Sequence, residues 1–160
     1  MAPTPEKQLA GFIAKFAPDV AALIRATRRK MRARLPQAIE LVYDNYNFFV
    51  IGFGPTERPS DAIFSIAAQA KGVGLCFLQG AGLPDPKRVL RGSGNVVRNV
   101  RLESAATLDR PEIRALIAAA LERAKTPMNP KGAHRLIIRS VSAKQRPRRA
   151  GHPATPGPPR

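Results

Sequence analysis

Five cations, Lys87, Arg88, Arg91, Arg98 and Arg101, crowd one stretch of this chain together with Gly92 and Gly94. Glycines set among arginines raise phosphate chemistry, because a bare backbone can approach an anion that guanidinium groups then neutralise. A nucleotide loop demands more than that. The P-loop needs Gly-x-x-x-x-Gly-Lys followed by Ser or Thr, and the dinucleotide fingerprint Gly-x-Gly-x-x-Gly must open a helix. Here the run GSGNVVRNV opens a predicted strand, so no helix N-terminus faces a phosphate, and both nucleotide motifs are excluded. Two readings remain: a glycine-bearing connection between pieces of sheet, or an anion nest ringed by the five cations.

Other chemistries find no constellation. His134 and His152 fall beyond the predicted core, so neither a Ser–His–Asp arrangement nor a histidine metal site can be assembled. Cys76, the single cysteine, lies in the apolar run GLCFLQ with no basic neighbour to activate it, and reads as a structural thiol. Asp44, Glu57, Asp61 and Asp85 sit at predicted strand ends and turns, where carboxylates normally cap backbone. The expectation is a non-enzymatic protein with no cofactor and no metal site.

Charge is the other signal. The 160 residues carry 27 Lys and Arg against 11 Asp and Glu, a net +16. Residues 1–34 contribute +6, residues 35–126 only +2, and residues 127–160 +8. Cationic ends around a balanced middle suit an anionic partner, nucleic acid or another polyanion. Candidate contacts are Arg25, Arg28, Arg29 and Arg32 on a helix, with Lys144, Arg146, Arg148 and Arg149 in the tail. The plainer reading of the helix cations is a solvated face. Eight tail cations all meeting phosphates would give a slope of log K against log salt near about −7. No apolar run approaches the ~18 residues of a membrane span. MAPTPEKQ lacks the basic-then-apolar pattern of a signal peptide, so a cytoplasmic protein is expected.

The elements that must position these residues follow from periodicity. Leu9, Phe12, Ile13 and Phe16 make one stripe of a helix over 5–17. Pro18 suits the first turn of a second helix, striped by Val20, Leu23, Ile24, Thr27 and Met31, with Arg25, Arg28, Arg29, Lys30, Arg32 and Arg34 opposite. Strands are predicted over 46–53, 62–70, 73–79 and 96–102, with Lys71-Gly72 as a tight hairpin turn. Arg98 shares a side with Val100 and Leu102, which means either a bulge or a place at an open rim. Asp109 and Glu112 have capping-box spacing, and Leu108 and Ile113 staple spacing, at the start of a third helix ended by Thr126-Pro127. HRLIIRSV at 134–141 reads as an added edge strand or a mobile segment. From Lys144 onward no large apolar residue is present, and disorder is expected. The fold class is α+β: an antiparallel sheet packed by two N-terminal helices and one C-terminal helix. The domain spans 6–125, a linker with a possible extra strand 126–143, and a basic Pro-rich tail 144–160.

Two phrases carry a resemblance. LPQAIELVY presents Pro36, Glu40 and Tyr43 at the end of the second helix and before the first predicted strand. VGLCFLQGAGLPDPKRVLRGSGNVVRNVRL presents Gly80, Leu83, Asp85-Pro86, Leu90, Gly92, Gly94, Arg98 and Arg101. Both are similar to the YdhG-like family, a bacterial domain of unknown function, over roughly residues 6–125. Members often show Gly-x-Pro where DNYNFF stands here, and Lys where Asn95 stands. The resemblance implies a compact α+β domain. Part of the family is labelled a frataxin-like intracellular iron chaperone, which implies oxygen-rich acidic surfaces. The cationic balance of this chain runs against that role. A pocket for a small anion, with Arg98 and Arg101 as its polar members, is a further alternative.

Overall fold

A computed structural model of the protein describes residues 2–149. Helix α1 spans Pro5–Ala14 and helix α2 spans Pro18–Arg34. Thr4 caps α1 through its Oγ1, which accepts from the Lys7 N–H at 3.2 Å. Leu9 and Ile13 of α1, with Ile24, Thr27 and Met31 of α2, turn into the core. Six strands follow: β1 (Ile39–Asp44), β2 (Phe49–Gly54), β3 (Phe64–Gln69), β4 (Gly72–Phe77), β5 (Arg98–Leu102) and β6 (Arg135–Val141). Helix α3 (Pro111–Arg123) lies between β5 and β6 in the chain. The sheet order is β5-β4-β3-β2-β1-β6. Neighbours from β1 to β5 run antiparallel, and β6 lies parallel to β1.

The predicted α+β class and three helices are present. One strand was missed. Ile39–Asp44 is β1, not the end of the second helix, and it pairs with β2 along its whole length. Its alternation is inverted: Glu40, Val42 and Asp44 face the helices, and both carboxylates are fully buried. Acids on the core face hide a strand from any hydrophobic pattern. The strand expected over 46–53 begins only at Phe49, because Asn45 and Phe48 close the β1–β2 connection through a backbone bond of 3.0 Å.

The helix-facing rows of the sheet hold the core. Val42, Ile51, Ile66, Leu75 and Val100 stand in one register across five strands. Phe16, Phe49, Phe53, Phe64 and Phe77 are all fully enclosed, and Phe64 meets Phe77 edge-on at 5.6 Å. Each such ring contributes roughly 1.5–3 kcal/mol by leaving water.

Three further expectations resolve. β4 and β5 pair without a bulge, so Arg98 occupies the sheet end on the core side. There its Cβ fits against Gly80: a methyl at that glycine would stand 2.6 Å from it. The capping box at Asp109 does not form. Arg110 is the N-cap and Pro111 opens α3, while the Asp109 carboxylate is claimed by Lys30 and Arg34. Charged donors outcompete an exposed backbone N–H for that oxygen. The segment at 135–141 joins the sheet, with Leu136 and Ile138 packed on the core, so the fold continues past residue 125.

The expected disorder from Lys144 onward divides. Residues 150–160 lie outside the described residues. Residues 144–149 are placed, by polar bonds rather than apolar burial. Gln145 donates to the Asp44 carbonyl at 2.8 Å, the Arg146 N–H to the Tyr46 carbonyl at 2.9 Å, and Arg148 to the Asp44 carboxylate at 2.9 Å.

Candidate functional site

The two buried acids of β1 decide what most of the helix and tail cations do. An unpaired carboxylate in such a site is prohibitively costly, so each recruits several donors. Glu40 receives Arg28 through a fork, Nε and Nη2 both at 2.8 Å, and His134 Nε2 at 2.7 Å. Arg32 Nε lies 3.7 Å from the same carboxylate, and its Nη2 stands 3.3 Å from His134 Nδ1. An arginine can only donate, which assigns the imidazole proton to Nε2, facing Glu40. Burial opposes the charge on Arg28, yet its bonds to Glu40 and Glu6 outweigh that and raise its pKa. The same Arg28 bond holds the Glu6 carboxyl below its ordinary value.

Asp44, at the other end of β1, accepts from Lys15 Nζ at 2.6 Å and Arg148 Nη2 at 2.9 Å. The Arg148 side chain is only 3 % exposed and also donates to the Asn45 carbonyl. Arg146 lies over the Tyr46 ring and bonds Asn47 Oδ1, and Arg149 Nε donates to the Lys15 carbonyl. Lys30 and Arg34 serve Asp109. Of the eight candidates on helix and tail, Arg25, Arg29 and Lys144 are exposed and make no ion pair or side-chain hydrogen bond among the described residues.

The loop between β4 and β5 is held by its own chemistry. Both oxygens of Asp85 accept backbone N–H groups, from Val89 at 3.0 Å and Leu90 at 2.9 Å. Arg88 and Gly92 adopt positive φ, 53° and 120°. Arg91 exchanges two backbone bonds with Asn99, so the glycine-bearing turn folds back along β5. Arg98 Nη1 donates to the carbonyls of Val97 and Gly94. Carbonyl oxygens thus fill the inner side of that turn, which is the polarity opposite to an anion nest.

Arg98 and Arg101 stand on opposite faces of the sheet. Arg101 belongs to the side turned away from the helices, where it crosses Gly72 and donates to the Lys71 carbonyl at 2.8 Å. The bare Cα of Gly72 makes room, since a methyl there would sit 2.8 Å from the guanidinium. Arg91 and Lys71 line the same hollow as Arg101. Lys87 and Arg88 are exposed on the adjoining loop. No ion pair to a carboxylate is made by Lys71, Lys87, Arg88, Arg91 or Arg101 among the described residues. None of the five loop cations named from sequence is paired with a carboxylate among the described residues, Arg98 and Arg101 being engaged by backbone carbonyls, and Lys71 at the β3–β4 turn is likewise unpaired. Lys71 was missed because a hairpin-turn lysine carries no signal of its own.

The hollow itself is a trough of about 470 Å³ on the open sheet face. Its floor is small: Gly74, Ala67, Ser65 and Cys76 stand at consecutive outward positions of β3 and β4. Burial pushes the Cys76 thiol up from its ordinary pKa, against an opposing hydrogen bond with Ser65. Phe48, Leu78 and Val97 form apolar walls. The signal in the sequence was the run of small residues at alternate strand positions, which reads as weak strand rather than as a concavity.

Elsewhere, no group of three or more His, Cys, Asp or Glu side chains among the described residues is arranged to hold a metal ion. No described helix is long and apolar enough to cross a membrane. Comparison with protein-family models, with curated proteins and with solved structures finds no match to this chain.

Proposed function

We propose that this protein is a non-enzymatic binding domain of the YdhG-like type that engages a polyanion, nucleic acid foremost, through the β4–β5 edge rather than through α2 and the tail. The observation that carries this reading is how the cations are partnered. Arg28, Arg32 and Arg148 neutralise buried acids and hold the fold together. Lys71, Lys87, Arg88, Arg91 and Arg101 make no ion pair among the described residues; Asp85 serves its own loop and Glu103 lies 3.6 Å from Arg110, while Asp19 and Glu103 line a neighbouring hollow with Lys71 and Arg101 without pairing with either. Lys71, Arg91 and Arg101 line one hollow and make a local positive potential, to which Lys87 and Arg88 on the loop leading into β5 add, and phosphates displacing their counterions would supply the binding energy. Contacts of this kind favour phosphate over base, so sequence preference is not part of the proposal.

Iron delivery draws no support from the side-chain placement. The buried acids are each matched by cations already, and a hard metal would have to displace them.

The test is fluorescence anisotropy with labelled single-stranded DNA and RNA across a salt series. Truncation is a poor probe, because residues 135–141 are a strand of the sheet. The triple variant Lys87→Gln/Arg88→Gln/Arg91→Gln should flatten the salt slope by about 2, at roughly 0.7 per lost phosphate contact on a single strand. Lys144→Gln/Arg146→Gln should change it by less than about 1. Loop variants that bind like the parent protein, or an absence of binding at low salt, would overturn the proposal.

A further inference from the structure

Resting on the polyanion reading, we infer that the open sheet face is a platform for the bases of a single-stranded nucleic acid, with Phe48 as its stacking surface. The trough has a polarity that a plain phosphate site does not need. Arg91 and Arg101 line its β5 side next to Val97, Lys71 stands at the β3–β4 turn, and no carboxylate of the described residues lines it. Across β4 and β3 the opposite side is apolar, with Phe48 and Val50. Arg101, Gly74, Ala67 and Val50 are partners in one register, so the two sides are three strand spacings apart, about 14 Å.

The occupant must therefore carry negative charge at one end and a flat or apolar body at the other. A nucleotide strand does. Phe48 is 42 % exposed and Val97 46 %, so an aromatic face is open to a ligand at the rim of the concavity. Base stacking on an aromatic ring tolerates any base, which suits a surface with few fixed hydrogen-bonding groups. Two amide side chains, Gln69 and Asn99, do line the trough. The Asn99 amide nitrogen donates to the Arg91 carbonyl at 3.3 Å, and its oxygen accepts no hydrogen bond among the described residues.

Duplex nucleic acid does not fit this arrangement, because its bases are stacked on each other and leave no base face free to lie on Phe48. An inorganic polyanion would meet the cations and make no use of Phe48. The small floor residues Gly74, Ala67, Ser65 and Cys76 admit a flat group between the cationic and apolar sides. Cys76 in that floor supplies a built-in reporter: a bound base should shield its thiol.

The experiment compares a fluorescein-labelled single-stranded oligonucleotide, a duplex of the same sequence and heparin, each titrated against the full chain by anisotropy. Single strand should bind tighter than duplex at equal salt. Phe48→Ala should weaken single-strand binding about 5- to 150-fold, as loss of one aromatic stacking partner does. Heparin binding should be unchanged. Phe48→Leu keeps an apolar side chain at a half-open position and should show a similar loss, which separates stacking from folding defects. Saturating oligonucleotide should slow iodoacetamide labelling of Cys76. Equal affinity for all three polymers with no effect of Phe48→Ala overturns this inference and leaves the polyanion reading standing. No binding to any of them overturns both. Protection of Cys76 by a small amphiphilic carboxylate, with none from the oligonucleotide, assigns the trough to a small anion and overturns the inference.

Discussion

Arg148→Ala separates the two accounts of the C-terminal segment. A disordered tail predicts no change in stability. The structure gives this side chain two hydrogen bonds, to Asp44 Oδ1 at 2.9 Å and to the Asn45 carbonyl at 2.6 Å, and a place over the Phe16 ring at 5.8 Å. Hydrogen bonds to charged groups contribute roughly 1.5–3 kcal/mol each, and a sheltered cation over a ring about 1. Against this, about 2 kcal/mol of arginine side-chain freedom is recovered on removal. The Arg148 Nε is buried without a partner among the described residues, so its desolvation cost of about 1–3 kcal/mol disappears too. Asp44 keeps Lys15 at 2.6 Å and is not left bare. The net is a destabilisation of about 2 kcal/mol, which for a chain of this length lowers Tm by about 4–8 °C. Differential scanning calorimetry measures it, with Lys144→Ala as the exposed control expected to leave Tm unchanged. An Arg148→Ala protein melting within about 1 °C of the parent would refute the reasoning.

Acid should weaken the fold through two named groups. Lys30, with Arg34 and Arg114, holds the Asp109 carboxyl below its ordinary 3.8, and Arg28 holds Glu6 below its ordinary 4.5. Folded values below unfolded ones mean the stabilisation is complete above the ordinary values and is lost as pH falls through the lowered ones. Tm should therefore drop below pH 4.5, and Asp109→Asn should flatten that drop; parallel curves for variant and parent would contradict it. The Cys76 thiol, pushed up by burial, should react with iodoacetamide more slowly at neutral pH than a free cysteine and regain the free rate in denaturant. Equal rates in folded and denatured protein would contradict that assignment.

What could be read from the sequence followed hydrophobic period. The stripes Leu9-Ile13 and Ile24-Met31, and the alternation through β3 and β4, located two helices and a hairpin because their buried faces are apolar. β1 escaped for the opposite reason: Glu40 and Asp44 occupy two of its three helix-facing positions. Their counterions come from residues such as Arg28, Lys15, His134 and Arg148, at separations of up to 104 positions, so no local pattern announces them. Asp109 has the spacing of a cap and the partners of an ion-pair hub. For the candidate site, composition showed the excess of cations, but which of them the fold consumes depends on where the acids are buried.

The parallel β6 has a consequence for how the chain reaches this state. Pairings from β1 to β5 join strands consecutive in the chain, and such contacts form early because they close short loops. β6 must instead find β1 after β2 to β5 and α3 have intervened, and the Arg148–Asp44 bond closes a separation of 104 residues. Loop-closure entropy makes that docking a late event in folding and an early one to reverse. Until it happens Asp44 has lost Arg148, Glu40 has lost His134, and one side of β1 is an unpaired edge. The buried acids of β1 thus act as a latch: the N-terminal meander holds them, and arrival of the last strand and the segment behind it completes their neutralisation.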